Sequence, residues 1–209
     1  GLANGPRPGV DARDLVFRFP SRSRAVLREI PLGIRRGERV LLQGPSGGGK
    51  STLGSILAGL RVPDAGLLLS RGLDRRTLGL AGWRRRVVAA PQFHENHVLT
   101  ETFAFNLLMG RRWPLRAADF DEAQVICEAL GLGDLLKRMA AGLLQMVGET
   151  GWQLSHGEKS RLYMARALLQ GGDLLVLDES FAALDPENLR TALQAVLRRA
   201  PALLVIAHP

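Results

Sequence analysis

The stretch GPSGGGKST, Gly44 to Thr52, constrains this chain more than any other part of it. Gly44, Gly49, Lys50 and Ser51 fill the pattern G-x-x-x-x-G-K-[ST], with Pro45, Ser46, Gly47 and Gly48 between them and Thr52 following. Such a loop works only between a strand and a helix. The apolar run in ERVLLQG supplies the strand, and in KSTLGSILAGL the residues Leu53, Ile56, Leu57 and Leu60 fall at helical spacing. Glycines let the backbone amides turn inward and approach phosphates with no Cβ in the way. The helix points its positive end at the same anion. In this pattern the lysine, Lys50, reaches the β- and γ-phosphates and the Ser51 hydroxyl ligates Mg²⁺. The loop implies a nucleoside triphosphate, but kinases, helicases, repair clamps and transport motors all share it.

The rest of the chain narrows the fold. GLANGPRPGV, residues 1–10, reads as a linker or an expression remnant. Asp14–Phe19 and Ile30–Ile34 are partly alternating and predict antiparallel strands. Further strands are predicted at Leu67–Leu69, in VVAAPQ ending at Gln92, in DLLVLDES and in ALLVIAH, with the strand before Gly44 read as buried and apolar. Between Phe93 and Gln170 the period is helical, over 103–109, 120–130, 135–144 and 159–169, and Glu187–Arg199 predicts another helix. Apolar strands alternating with helices indicate a mainly parallel sheet covered on both faces. The expectation is an α/β fold with a small N-terminal antiparallel β part and an inserted helical lobe. Residues 11–92 and 171–209 then form the two parts of one core, and 93–170 the lobe.

Composition excludes several alternatives. Among 209 residues, 46% are hydrophobic and no apolar run approaches the ~18 residues of a membrane-spanning helix. The N-terminus lacks the charged-then-apolar pattern of a secretory signal. The single cysteine, Cys127, cannot form an internal disulfide and reads as a small buried residue on a helix. The net charge is +8, and all 28 basic residues except Lys50, Lys137 and Lys159 are arginine. These arginines are spread along the chain, and aromatic content is 5%, so a stacking platform is absent and nucleic acid is disfavoured as a partner. His94 and His97 lack cysteine or acidic partners of metal-site pattern and read as surface residues. Trp83, Trp113 and Trp152 read as packing or interface residues.

Two later stretches carry chemistry. In LLVLDES, Asp178 ends an apolar strand and can hold Mg²⁺ directly or through water. Glu179 follows, where a carboxylate can orient or deprotonate an attacking water, which favours a hydrolase over a kinase. In GWQLSHGEKSRLYMARALLQ, Leu154, Ser155 and Gly157 stand at the start of a helix, where a hydroxyl and free amides can grip an anion. An ordinary capping box, Ser155 with Glu158, explains the same local sequence.

Taken together, these motifs resemble the nucleotide-binding domain of an ATP-binding cassette (ABC) transporter, from about residue 14 to 208. LSHGE is similar to the family's Leu-Ser-Gly-Gly-Gln signature, with His156 at the first glycine and Glu158 at the glutamine. The resemblance implies a P-loop NTPase core and ATP and Mg²⁺ as ligands. Phe19 then stacks on adenine, and Gln92 touches Mg²⁺ or water and senses the membrane partner. Asp185, in ALD, lies on a loop crossing a dimer interface. His208 is the switch histidine near the γ-phosphate. It further implies that a second cassette, identical or not, turns head to tail and brings Ser155 and Gly157 to the bound triphosphate. Hydrolysis removes the phosphate that both halves hold, and the clamp opens.

Within the family, exporter, importer and non-transport ATPases compete. Repair-type proteins insert long coiled coils where this chain has one compact lobe, and ribosome-associated forms carry two cassettes. VGETG, Val147–Gly151, and VLTETFAFNLLMG, Val98–Gly110, resemble exporter segments, although Phe105 stands where glutamate is common. The exporter reading implies membrane domains fused before Gly1 or supplied separately, and a place on the cytoplasmic face of a membrane. Two departures qualify the resemblance. His156 adds bulk beside the signature serine, and the chain stops one residue beyond His208, which implies truncation relative to the family.

Overall fold

The computed structural model describes residues 9–90 and 97–208. These fall into two units. One holds the described residues of Gly1–Ala89, Gly172–Asp178 and Ala200–Pro209, the other those of Ala90–Gly171 and Glu179–Arg199.

The first unit contains two sheets, and their burial patterns follow from their sequences. In β1 (Val10–Phe17) the residues Val10, Ala12, Leu15 and Phe17 are buried. The alternation slips by one between Ala12 and Leu15, where the register to β2 (Leu27–Ile34) breaks and Asp14 takes φ 51°. That irregularity is a bulge, which re-aims side chains so that both halves of the strand still face the core. The strand expected over Asp14–Phe19 therefore begins earlier, at Val10, and ends at Phe17. The hairpin closes there, with Val26 N–H donating to Phe17 O at 2.8 Å. β4 (Ala65–Ser70) pairs antiparallel with β1 and with the short β5 (Leu73–Asp74), giving the order β2-β1-β4-β5.

The second sheet has the order β3-β8-β7-β6, built from β3 (Arg39–Gln43), β6 (Val87–Ala90), β7 (Leu174–Asp178) and β8 (Leu203–Ala207). β3 with β8 and β8 with β7 run parallel. All five residues of β7 are buried, as its continuous apolar run requires. β3 differs from expectation. Among the described residues it ends the sheet order, with Leu41 57% exposed, while Val40 and Leu42 pack on the core. One face of β3 packs on the core and the other does not, so its residues alternate between half-buried and exposed.

α1 (Lys50–Leu57) packs against β7 and β8, and its Leu53, Ile56 and Leu57 join residues of both sheets in one core. It stops short of Leu60, whose N–H folds back to Ser55 O at 2.8 Å. α2 (Arg75–Arg84) was not legible in the sequence. It has no apolar stripe, departs from helical geometry at Gly79, and buries only Trp83. Trp83 is 0% exposed and donates from Nε1 to Leu57 O at 2.7 Å, tying α2 to the end of α1.

The second unit is helical: α3 (Phe103–Leu108), α4 (Ala117–Ala129), α5 (Gly133–Arg138), α6 (His156–Gln170) and α7 (Pro186–Arg199). α3, α4 and α7 all pack on α6. The helix expected over 135–144 is broken: α5 ends at Arg138, Met139 is extended and buried, and a 3₁₀ turn covers Gly142–Leu144. Arg111 fastens α4 to the end of α6, bonding Asp119 at 2.8 Å, Glu122 at 2.6 Å and the carbonyl of Leu169 at 2.7 Å. Cys127 is buried on α4, and burial pushes its thiol up to about 12, so it is inert as a nucleophile.

Trp83→Phe keeps an aromatic in place but leaves the buried Leu57 carbonyl without its donor. The expected loss is about 1–3 kcal/mol, read from the midpoint of urea unfolding.

Candidate functional site

The glycine loop adopts a shape that its sequence dictates. Gly49 is the N-cap of α1 with φ 83°, and a Cβ there would lie 2.9 Å from the Val26 side chain. An L side chain is therefore excluded twice, by conformation and by space. Gly49 O accepts the first helical bond, from Leu53 N–H at 2.9 Å, so the amides of the first turn of α1 have no intrahelical acceptor. Lys50 is buried, and its ammonium donates to Gly44 O at 2.6 Å and Pro45 O at 2.8 Å. The cation is thus held inside the loop by the loop's own carbonyls.

The parallel register sets what surrounds it. Leu42 pairs with Ile206 and Gln43 with Ala207, while Asp178 pairs with the same Ile206. The three strands end within one residue of the same level, so Gly44, Asp178 and His208 lie at the C-terminal edge of the sheet. Asp178 is buried, and His208 is exposed directly after β8. An open cleft of about 510 Å³ lies between residues 21–26 and Gly47–Gly48, and Arg22 and Arg24 line it. Phe19 packs edge-on to Phe17, centroids 5.0 Å apart, and carries the guanidinium of Arg61 5.1 Å and that of Arg22 5.9 Å from its centroid.

These features fit the groups the loop implies. The acceptor-free amides at the start of α1, one buried lysine and a cleft lined by arginines suit a polyphosphate. Ser51 on α1 and Asp178 at the end of β7 are hard oxygen donors on elements that pack together, the donor type Mg²⁺ takes. Gln92 lies outside the described residues.

Glu179 follows Asp178 directly and stands at φ 52°, in the left-handed region that non-glycine residues enter at a cost of about 1–3 kcal/mol. The chain then turns, with Ala182 N–H donating to Glu179 O at 3.1 Å. Within the helical unit, Ser155 caps α6: its Oγ accepts from Glu158 N–H at 3.2 Å, and Glu158 Oε2 accepts from Ser155 N–H at 2.8 Å. Leu154 is buried before the cap, whereas His156 is exposed on the first turn. Asp185 caps α7, accepting from the N–H groups of Glu187 at 3.1 Å and Asn188 at 3.0 Å and from Asn188 Nδ2 at 2.6 Å.

Comparison with known proteins gives this arrangement its family. The family model described as ABC transporter matches residues 27–182. The chain belongs to the ABC transporter family. It is 37% identical over 202 residues to the ATP-dependent lipid A-core flippase of Escherichia coli, covering 95% of this chain and 34% of that protein. The flippase of the same description from Thiobacillus denitrificans is 35% identical over 199 residues, covering 94% and 33%. A solved bacterial Atm1-family ABC exporter with ATP bound superposes with a TM-score of 0.83 at 29% identity, over 100% of this chain and 36% of that one. The chain spans about a third of the length of the curated relatives it matches. Its fold is the P-loop NTPase fold of an ABC nucleotide-binding domain, and the family makes it an ATPase module.

Several residues of this ABC module were not singled out from sequence. Arg161, buried on α6, donates to Gly157 O at 3.2 Å, Gly131 O at 2.6 Å and Asn188 Oδ1 at 2.7 Å. Through Asn188 the signature turn and the Asp185 cap become one hydrogen-bonded unit. Gln153 braces the exporter-like loop, its amide donating to the carbonyls of Gly148, Glu149 and Gly151 at 2.9–3.2 Å. Asn106 is buried and fixes the segment before α3 through Leu99 and Thr102. Arg161 lies one helical turn from Gly157, which is a signal in hindsight; Gln153 gave none.

The backbone N–H of Asn188, and then its side chain, hold the Asp185 carboxyl below the ordinary carboxylate range. A depressed carboxylate stabilises the folded state above its unfolded pKa, and that contribution is lost as pH falls through the folded value. Asn188→Ala removes the side-chain bond and keeps the backbone one. The Asp185 carboxyl is then expected to titrate higher than in wild type yet still below the ordinary range, as read by carboxyl-carbon NMR.

Proposed function

We propose that this chain is the motor domain of an ABC exporter, in which ATP-driven pairing of two cassettes powers movement of a substrate across a membrane. The observation that carries the reading is the parallel register of β3, β8 and β7, whose ends within one residue of each other gather Gly44, Asp178 and His208 at one edge beside the Lys50 cradle. Exporter relatives by sequence and by structure support the same direction.

In this reading Lys50 leaves the Gly44 and Pro45 carbonyls for the β- and γ-phosphates, while Pro45, Ser46, Gly47 and Gly48 wrap them and Thr52 lies on the first turn of the same helix. An adenine stacking on Phe19 takes the place of one guanidinium on that ring. Ser51, Asp178 and Gln92 would hold Mg²⁺, which neutralises phosphate charge. Glu179 accepts a proton from water as its oxygen attacks the γ-phosphorus. The bond to the bridging oxygen breaks, and ADP leaves with the electron pair. His208 steadies the γ-phosphate. Ser155 and Gly157 of a second cassette complete the site in trans, and Asp185 lies on the loop between the copies. Membrane domains, fused or separate, couple to the exporter-like loop Val147–Gly151, which puts the module on the cytoplasmic face of a membrane.

Glu179→Gln removes the base and leaves the phosphate contacts. It is expected to accumulate an ATP-dependent dimer by light scattering after size exclusion, and a species that stays monomeric with ATP and Mg²⁺ would sink the pairing. Lys50→Ala removes a charge-assisted contact of about 2–3 kcal/mol. It should weaken fluorescent-ATP binding roughly 30- to 150-fold, and unchanged affinity rejects that role.

A further inference from the structure

The signature turn of this chain carries a charge that the family pattern lacks, because Glu158 stands where the signature has glutamine. The carboxylate is not loose. Its Oε2 accepts from Ser155 N–H at 2.8 Å, inside the capping box, and its Oε1 is bound by Arg138 Nη2. The Glu158 side chain is only 12% exposed, whereas Arg138, the last residue of α5, is 57% exposed. Arg161, one turn along α6, is already committed to Gly157, Gly131 and Asn188. Arg138 is a cation hydrogen-bonded to this carboxylate.

We propose that Arg138 is a positioning residue of the trans-acting signature, neutralising Glu158 so that Ser155 and the first amides of α6 can receive a phosphate anion. The proposal rests on the two-cassette reading above. A bare carboxylate beside the cap would repel an incoming γ-phosphate over a few ångströms. The Arg138 pair cancels that field and also holds the carboxylate against Ser155 N–H. Glutamine can occupy the same box without the charge, because its amide oxygen also accepts from the cap. The requirement for Arg138 in pairing is thus tied to the identity of residue 158.

The test is a double-substitution cycle in the Glu179→Gln background, reading the ATP-dependent dimer dissociation constant by sedimentation at two salt concentrations. Arg138→Ala is expected to raise that constant about tenfold when residue 158 is glutamate, because a roughly threefold effect at each of two equivalent sites multiplies. With Glu158→Gln present, adding Arg138→Ala is expected to change it less than twofold. The tenfold effect should shrink at high salt. Thermal melts of each chain without ATP verify that all four fold. Equal losses in both backgrounds would make Arg138 merely structural and overturn the proposal. No loss in either would do the same. A parent that stays monomeric with ATP overturns the two-cassette reading itself, and the role of Arg138 with it. A parent that pairs normally, beside an Arg138→Ala chain that matches it, removes Arg138 alone.

Discussion

The parallel register of β3, β8 and β7 is the constraint on which the nucleotide site depends. Leu42, Ile206 and Asp178 lie in one row of the sheet, so the next residues of each strand emerge together. α1 follows β3 directly after the glycine loop, which delivers its N-terminus to that same edge. A one-residue slip of β7 would turn Asp178 to the opposite face of the sheet and replace it with an apolar neighbour. The unbroken apolar run of β7 and the packing of α1 on β7 and β8 hold that register.

Arginine has a second use in this chain beyond net charge. Arg39 bonds the Ala200 carbonyl, Arg84 that of Gly59, Arg86 that of Ser70, Arg111 that of Leu169 and Arg166 that of Asn106. Each takes up a backbone acceptor where a strand, turn or helix ends. A planar guanidinium with five donors suits this work better than an ammonium does. The +8 charge is thus distributed through the fold as fasteners, consistent with its scatter along the sequence.

The two ends of the chemistry are built differently. The phosphate loop is shaped by glycine, which enters φ 83° at little cost. Glu179 enters φ 52° without that freedom. The surrounding turn and the buried strand before it must hold it there, and a strained acidic residue directly after Asp178 is where a reacting group would be expected. The signature turn relies instead on hydrogen bonds, reciprocal between Ser155 and Glu158 and donated by Arg161 to Asn188, which fix direction without strain.

The sequence by itself determined the phosphate loop, the buried strand ending in Asp178, the two sheet types and the start of α6. Each is encoded locally, by glycine spacing, by an unbroken apolar run or by a cap within four residues. The family resemblance implied that Asp185 lies on a loop, and the structure adds that the same side chain caps α7. Only the tertiary structure decided the rest. α2 has no apolar stripe and is pinned by Trp83 to the end of α1. Among the described residues β3 ends the sheet order, which no property of its own five residues requires. Arg138 meets Glu158, and Arg161 meets Asn188, across 20 and 27 residues of chain. Such contacts depend on where helices come to rest, and helix packing depends on the whole apolar surface rather than on any short word of sequence.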